Sequence, residues 1–243
     1  GDIPVVRPTT LVLVPGLVEI ILNIARLKGR AFLGDLELIM CGAAPVPPRQ
    51  MEECRELGIT LCAGYGLTEC ANLTSGNCDT DKKPESMGHI YPEQQVKVVD
   101  GELWIKGDNV MKEYYKDPEH TAEVLEDGWF KTGDLVEFDD NDWIYITGRI
   151  KNLIILPNGE NVSPEEIEEL FYKQSLVKDC LVQEMEMNGN TVIGVEIIPY
   201  MPELEGASEE EIQKRLQDTV NEVNKGLPPF KRVLKMKVRT EDF

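Results

Sequence analysis

Three short segments combine hydroxyls, carboxylates and glycines in a way that suits phosphate or ribose binding. The first is GYGLTE at residues 64–69, which follows a predicted strand. Glycines at such a point allow the backbone to approach a ligand closely. A hydroxyl beside a carboxylate, here Thr68 and Glu69, can serve a phosphate and its magnesium ion. Taken alone, a hexapeptide of this kind is more often an ordinary turn between a strand and a loop.

The second segment is GWFKTGD at residues 128–134, and the third joins TGRIKN at 147–152 to NGENVSP at 158–164. Asp134 follows Thr-Gly at the lip of a predicted strand, where a carboxylate can accept hydrogen bonds from vicinal ribose hydroxyls. An aspartate that simply closes a turn is an equally good interpretation. The guanidinium of Arg149 could form bidentate hydrogen bonds with ribose or phosphate oxygens, or form a surface salt bridge.

Composition limits the classes of ligand and partner. The 243 residues include 25 Lys and Arg and 44 Asp and Glu, which gives a formal net charge of −19. A chain this acidic repels phosphate backbones, which argues against general nucleic-acid binding. Any anionic ligand must therefore be held by a local cluster of donors. The apolar stretch at residues 10–24 is interrupted by Pro15, Gly16 and Glu19, so it does not predict a transmembrane helix.

The chain has six cysteines and two histidines. No CxxC pair occurs, which argues against a zinc site and gives little support to a Cys–His nucleophile. We expect all six cysteines to be reduced thiols in a cytoplasmic protein. Cys62 and Cys70, close to the first segment, are expected to be buried small apolar side chains.

The elements that must position these segments begin with strands and helices in alternation. Residues 11–14, 36–41 and 59–63 are apolar runs typical of buried strands, and residues 48–57 predict a helix between the last two. This order predicts a parallel α/β layer. After residue 77, Asp-Gly at 100–101 predicts a hairpin, and an Asp/Asn cluster at 139–142 predicts another. We interpret this region as a small β-rich subdomain.

From Gly148 the pattern predicts a compact α+β domain. Ser163 and Glu166 predict a capping box at the start of a helix, with Pro164 in its first turn. Ser208 and Glu211 predict a second capping box, before a helix at residues 209–224. Strands are predicted at 180–184, 191–198 and 233–238.

The ordered series YGLTE, GELWIKG, GWFKTGD, ITGRIKNLI and NGENVSPEEIE resembles the adenylate-forming superfamily. Acyl-CoA synthetases, luciferases and the adenylation domains of peptide synthetases belong to it. The last segment resembles the acyl-CoA synthetase branch, particularly its medium- to long-chain members. GAAP at residues 42–45 resembles the GGAP strand end of the family, with Ala43 in place of a usual glycine. The similarity runs from about Leu36 onward.

The resemblance assigns nucleotide contacts residue by residue. Tyr65 would pack against adenine, Thr68 would contact the α-phosphate and Glu69 would hold Mg²⁺. Asp134 would bind both ribose hydroxyls, with Arg149 assisting it. The other residues implied in cofactor binding are Gly42, Ala43 and Ala44 beside the adenine, the motif glycines Gly64 and Gly66, and Gly159 in a loop that later faces the pantetheine tunnel.

The resemblance also implies a domain organisation. Residues 1–148 would be the C-terminal portion of the large AMP-binding domain, with a parallel α/β layer and a β-rich subdomain. Residues 149–243 would be the small, mobile α+β C-terminal domain. Lys151 would be the hinge about which that domain pivots, and it joins Thr68 and Glu69 as a candidate for a catalytic role.

The function implied is that of an ATP-dependent, AMP-forming acyl-CoA synthetase, a fatty acid–CoA ligase that converts a carboxylate to an acyl-adenylate and then to acyl-CoA. ATP or AMP, Mg²⁺ and coenzyme A would be bound, in the cytoplasm, and a homodimer is possible. Two alternatives stay open. One is an adenylation domain that loads an aryl or amino acid onto a carrier protein, and the other is a non-catalytic adenylate-binding module.

Two lysine-bearing elements of the family are not found in these 243 residues. One is the Ser/Thr/Gly-rich loop that grips pyrophosphate, and the other is the catalytic lysine near the C-terminus. We therefore expect residues 1–243 alone not to form acyl-CoA.

Overall fold

The computed structural model describes residues 3–157 and 159–241, and its contacts divide the chain into two units, Gly1–Ile146 and Thr147–Phe243. The helices of the first unit are α1 (Ile3–Val6), α2 (Pro15–Lys28), α3 (Pro48–Glu56) and α4 (Pro118–Val124). Its strands are β1 (Thr10–Leu13), β2 (Leu38–Cys41), β3 (Thr60–Tyr65), β4 (Ser75–Asn77), β5 (His89–Ile90), β6 (Gln95–Val99), β7 (Glu102–Lys106), β8 (Leu125–Glu126), β9 (Trp129–Phe138) and β10 (Ile144–Arg149), the last of which extends into the second unit.

The first sheet has the order β1-β2-β3-β4-β5. β1, β2 and β3 are parallel, as the alternation of strands and helices predicts, and β4 and β5 continue the sheet antiparallel. Helix α2 buries Val18, Ile21, Leu22 and Ala25, which the 3.6-residue period places on one face. That face packs in the same core as Ile39 and the other buried residues of β2 and β3.

The second sheet has the order β10-β9-β7-β6, with β8 on the edge of β9. β6 and β7 form the hairpin expected from Asp-Gly, and both turn residues have positive φ, 51° at Asp100 and 85° at Gly101. Positive φ at both central positions is the signature of a type I′ turn. Leu103, Ile105 and Phe130 are buried on the inner face of this sheet.

The thiol prediction is wrong at two positions, because Cys62 and Cys78 form a disulfide. Ala63 on β3 pairs with Asn77 on β4, so the next residues outward, Cys62 and Cys78, lie directly opposite each other. The other four cysteines are free and buried. Burial raises the pKa of the Cys70 thiol to about 11, so that thiol stays protonated at neutral pH.

The second unit contains α5 (Pro164–Tyr172), α6 (Glu209–Lys225), β11 (Ile154–Ile155), β12 (Asn161–Val162), β13 (Val177–Met187), β14 (Asn190–Pro199) and β15 (Lys235–Val238). β13 and β14 are antiparallel, and β15 runs parallel to β14. Ile167 and Phe171 of α5 and Leu216 and Val220 of α6 pack against this sheet in one core.

The two predicted helix caps of this unit have different outcomes. Ser208 accepts a hydrogen bond from the Glu211 amide at 3.3 Å, as predicted. Helix α5 begins where expected, but Ser163 makes no side-chain cap there. Its hydroxyl donates to the Thr147 carbonyl at 2.7 Å instead, so the capping-box prediction is wrong. The hydroxyl also lies 2.8 Å from Glu165 Oε2, so these two acceptors take the place of the predicted helix amide.

Candidate nucleotide site

The GAAP segment and the YGLTE segment lie at the carboxyl ends of the adjacent parallel strands β2 and β3. Residues 42–44 come directly after β2, and residues 66–69 come directly after β3. In open α/β sheets this edge is where ligands bind. The fold therefore brings the GAAP and YGLTE segments to one edge of one sheet.

The backbones of these two segments are in close contact. A Cβ atom on Gly42 would lie 2.8 Å from the Gly64 carbonyl oxygen, so only glycine fits there without a shift of β3. The Gly42 amide donates to the Leu13 carbonyl at 3.3 Å, which ties the segment to the end of β1 as well. Three strand ends are thus held together around Gly42.

Ala43 has φ of 67°, in the left-handed region, and it is exposed. This conformation explains why glycine suits the position.

We expect Ala43→Gly to stabilise the first unit by about 1 kcal/mol, because glycine relieves the left-handed strain. Urea unfolding followed by tryptophan fluorescence measures the change. Ala44→Gly, at the exposed neighbour without positive φ, is the control and should be neutral or destabilising. A destabilised Ala43→Gly variant would contradict the left-handed backbone conformation of Ala43.

The YGLTE segment is a closed loop that needs glycine at one position. The Asn72 amide donates to the Leu67 carbonyl at 3.0 Å, and the Thr74 amide donates to the Tyr65 carbonyl at 2.8 Å. A Cβ atom on Gly66 would overlap the Asn72 carbonyl group and lie 2.8 Å from the Leu73 Cα. The loop backbone thus folds back onto Gly66.

Tyr65 and Asp134 meet directly, although 69 positions separate them. The Tyr65 hydroxyl donates to Asp134 Oδ2 at 2.6 Å. Asp134 is only 2% exposed. Burial, and then the nearby Asp134 charge, raise the pKa of Tyr65 well above its usual value. The tyrosine therefore remains a hydrogen-bond donor, and the pair places an aromatic ring beside a carboxylate.

An irregularity in β9 aims the Asp134 side chain. Trp104 pairs with Lys131 and Glu102 with Leu135, so three residues of β9 oppose one residue of β7. Gly133 has φ of 71° in this bulge. The Thr132 hydroxyl donates to the Leu103 carbonyl at 2.7 Å and accepts from the Asp134 amide at 3.0 Å.

Glu102 holds the bulge from the neighbouring strand. Its Oε1 accepts from the Gly133 amide at 2.8 Å, and its Oε2 accepts from Trp104 Nε1 at 2.9 Å. The conformation of Thr-Gly-Asp is therefore set by side chains of both strands. Bulges of this kind re-aim side chains next to functional sites.

Thr68 and Glu69 lie in the short 3-10 helix Thr68–Cys70. Thr68 is exposed and Glu69 is half-buried. Glu69 Oε1 accepts a hydrogen bond from the Tyr114 hydroxyl at 2.8 Å. Within the described ranges no group of three or more His, Cys, Asp and Glu side chains gathers as a metal site. One carboxylate beside a hydroxyl fits a Mg²⁺ ion that takes its remaining ligands from phosphate oxygens and water.

Three predicted site residues, Arg149, Lys151 and Gly159, belong to the second unit. Arg149 ends β10, and Lys151 lies exposed in the 3-10 helix Ile150–Asn152. Gly159 has φ of 84°, and its amide donates to the Leu156 carbonyl at 2.8 Å in the turn between β11 and β12. Their proposed roles toward a nucleotide stay predictions.

A groove of about 560 Å³ lies at the other end of the first sheet. Its lining includes Thr60 at the start of β3, Met51 and Arg55 of α3, and Thr80. Tyr65 is the last residue of β3, so this groove is separate from the Tyr65–Asp134 pair.

Sequence reasoning missed the residues that support the site. Tyr114 contacts Glu69 and Glu102 contacts Gly133 from distant points of the chain, and Thr132 contacts Asp134 from two residues away. Two of these residues, Glu102 and Thr132, lie in the family motifs GELWIKG and GWFKTGD, but the motifs do not indicate which of their residues support the site.

Among the helices of the described ranges, none combines the length and the apolar character needed to cross a membrane.

Two family models match the chain. AMP-binding enzyme matches residues 1–115, and AMP-binding enzyme C-terminal domain matches residues 151–242. The chain therefore belongs to the AMP-binding enzymes, the adenylate-forming family that includes the acyl-CoA ligases, and the resemblance seen in the motifs is confirmed.

Named relatives show how broad the family is. The indoleacetate–CoA ligase of Aromatoleum aromaticum is 31% identical over 207 residues, 79% of this chain and 40% of the relative. A long-chain fatty-acid–CoA ligase of Mycobacterium bovis is 34% identical over 157 residues, 64% of this chain and 26% of the relative. The chain spans less than half the length of either relative.

A solved structure gives the fold. The O-succinylbenzoate–CoA synthetase of Bacillus subtilis, in complex with ATP and magnesium ion, superimposes with a TM-score of 0.76 at 25% identity. The match covers 98% of this chain and 49% of that one. The expected combination of an α/β layer, a β-rich subdomain and an α+β unit is thereby confirmed.

Proposed function

We propose that this chain carries the adenylate-binding part of an ATP-dependent, AMP-forming acid–thiol ligase. The observation that carries the proposal is the Tyr65–Asp134 hydrogen bond of 2.6 Å, which joins the carboxyl end of the parallel strand β3 to the bulge in β9. An aromatic ring and a buried carboxylate in contact offer one surface for adenine and one acceptor for vicinal ribose hydroxyls. Both residues belong to the first unit.

The reaction has two steps. A carboxylate oxygen attacks the α-phosphorus of ATP, the bond from that phosphorus to the leaving oxygen breaks, and pyrophosphate departs. The thiolate of coenzyme A then attacks the carbonyl carbon of the acyl-adenylate, and AMP departs. The first step brings two anions together, and Mg²⁺ bound with ATP would supply the positive charge that screens them.

The residues of the first unit have distinct roles in this scheme. Thr68, exposed at the start of its 3-10 helix, donates to the α-phosphate. Glu69 holds the Mg²⁺ that accompanies ATP. Gly42 and Gly64 let the two segments that would line the adenine pack closely, since a Cβ atom on Gly42 would lie 2.8 Å from the Gly64 carbonyl oxygen.

The acid is proposed to be a fatty acid. The motif NGENVSPEEIE and the relative from Mycobacterium bovis support this class. The indoleacetate ligase supports the alternative, an aryl acid. A screen of acids for ATP–pyrophosphate exchange, with an enzyme that also carries the two lysine-bearing elements, separates the two: exchange stimulated by long-chain fatty acids supports the proposal, and exchange stimulated only by aryl acids contradicts it.

AMP binding tests the nucleotide site. We expect the chain to bind AMP and Asp134→Asn to weaken that binding about tenfold or more, because a carboxylate makes stronger hydrogen bonds than an amide. Isothermal titration of both proteins, with AMP and with its 2′,3′-dideoxy analogue, gives the measurement. Wild type should prefer AMP, whereas the variant should discriminate poorly.

Asp140→Asn is the matched control, since this aspartate is exposed beyond the end of β9. It should bind AMP as wild type does. Equal affinity of wild type for AMP and the dideoxy analogue would remove the ribose role of Asp134. No AMP binding by a folded wild-type chain would refute the proposed site.

The second unit contributes the residues proposed to act on the adenylate and the thiol. Arg149 assists Asp134 at the ribose, Gly159 lies toward the pantetheine, and Lys151 is the hinge. The backbone angles of Lys151 in structures with bound adenylate and with bound coenzyme A test the hinge. Unchanged angles would contradict it.

A further inference from the structure

We propose that Tyr114 is a positioning residue for the metal-binding carboxylate of Glu69, with its hydroxyl fixing one carboxylate oxygen so that the other faces the metal ion. This inference rests on the proposed function, because it takes Glu69 as the ligand of the Mg²⁺ that accompanies the nucleotide. Tyr114 does not touch substrate. It acts through Glu69.

The hydrogen bond itself is direct. The Tyr114 hydroxyl donates to Glu69 Oε1 at 2.8 Å. In the described part of the chain no other hydrogen bond reaches the Glu69 carboxylate, so Oε2 stays available to a cation.

The segment that contains Tyr114 also forms hydrogen bonds with the backbone around Glu69. The Met111 amide donates to the Glu69 carbonyl at 2.7 Å. Asn109 Nδ2 donates to the Cys70 carbonyl at 3.1 Å. Three contacts from residues 109–114 therefore meet two consecutive residues of the short helix. Such a set restrains both the backbone and the side chain of Glu69.

Tyr114 is in turn anchored by the start of α4. Its amide donates to the Thr121 hydroxyl at 3.0 Å, and that hydroxyl donates to the Asp117 carbonyl at 2.6 Å. The Asp117 amide returns a hydrogen bond to the Tyr114 carbonyl at 3.2 Å. A tyrosine restrained in this way holds its hydroxyl in place before a metal arrives. Preorganised outer partners of metal ligands commonly change metal affinity by about 10- to 100-fold.

The adjacent tyrosine provides a matched control. Tyr115 is 85% exposed, so Tyr115→Phe deletes the same atom without touching the site. Tyr114→Phe keeps the ring and deletes only the donor to Glu69. The two variants thus separate the loss of this hydrogen bond from the general loss of a phenol.

The experiment measures Mn²⁺ binding to the 243-residue chain in the presence of ATP, by electron paramagnetic resonance, and AMP binding without metal, by calorimetry in EDTA. We expect Tyr114→Phe to weaken Mn²⁺ about tenfold and to leave AMP affinity within about twofold of wild type. Tyr115→Phe should match wild type in both. A merely structural role for Tyr114 would change both affinities together and would overturn the inference.

A double variant tests whether Tyr114 acts through Glu69. In a Glu69→Gln background, Tyr114→Phe should cause no further loss of Mn²⁺ affinity, since coupled residues are not additive. Additive losses would overturn the inference. If wild type binds AMP but Tyr114→Phe binds Mn²⁺ equally well, the inference fails and the proposed nucleotide site stands. If folded wild type binds no AMP, the proposed function itself fails.

Discussion

Replacing Gly66 with alanine is expected to destabilise the first unit by about 3 kcal/mol and to abolish AMP binding. The added Cβ would overlap the Asn72 carbonyl group and lie 2.8 Å from the Leu73 Cα. Both obstacles are backbone, so the loop that carries Thr68 and Glu69 must shift as a whole. Close-packed interiors resist such overpacking at a cost of about 1–3 kcal/mol or more.

The distribution of tryptophans makes this measurement specific. All three tryptophans, Trp104, Trp129 and Trp143, belong to the first unit. Urea unfolding followed by tryptophan fluorescence therefore reports on that unit. Gly16→Ala is the control, because a Cβ there meets nothing within 4 Å and the residue lies in α2, where alanine is preferred. An unfolding midpoint of Gly66→Ala equal to that of wild type would contradict the described loop.

Replacing Glu168 with glutamine is expected to stabilise the second unit by about 2–3 kcal/mol at pH 8 and to have little effect below pH 5. Glu168 lies on α5, and its Oε1 accepts from the Val182 amide of β13 at 2.8 Å. Burial, with smaller contributions from Glu165 and Asp179, raises the pKa of Glu168 to about 7. Glutamine keeps the acceptor oxygen and carries no charge.

The raised pKa of Glu168 makes the second unit less stable as the pH rises. The folded pKa of Glu168 lies above the unfolded value, about 4.5, so the folded state binds more protons between the two values. Stability is therefore highest when Glu168 is protonated, falls as pH rises from about 4.5 to about 7, and is level above that. The Gln variant lacks this decline.

Chemical unfolding followed by circular dichroism at pH 4.5, 5.5, 6.5, 7.5 and 8.5 measures the change in stability. Glu169→Gln is the matched control, since this neighbour is exposed on the same helix and pairs with Lys173 at 3.3 Å. It should leave the pH dependence unchanged. A gain from Glu168→Gln that is the same at every pH would show that charge on Glu168 is not its cause.

Local elements of this fold could be predicted because their signals are local. The Asp-Gly turn at residues 100–101 supplies two positive φ angles, and nothing distant is needed to place it. The parallel order of β1, β2 and β3 follows from the helices between them. Ser163 shows the limit of such rules. Its hydroxyl donates a hydrogen bond to the Thr147 carbonyl and does not form the helix cap that the local pattern predicts.

The contacts that make the site depend on pairing between distant segments. Tyr65 and Asp134 are 69 positions apart, and Glu69 and Tyr114 are 45 apart. Family motifs indicated three of these residues, but no spacing rule indicates which side chains will touch. The Cys62–Cys78 bond is similar: it follows at once from the β3–β4 register, which the sequence did not reveal.

One nucleoside must be held by an aromatic ring and a buried carboxylate from the same unit, and a crystal structure of the chain with AMP tests this most directly. The prediction is that both ribose hydroxyls lie within hydrogen-bond distance of the Asp134 carboxylate, with adenine against the Tyr65 ring. AMP bound instead in the groove between α3 and the start of β3, with no ribose hydroxyl near Asp134, would contradict it.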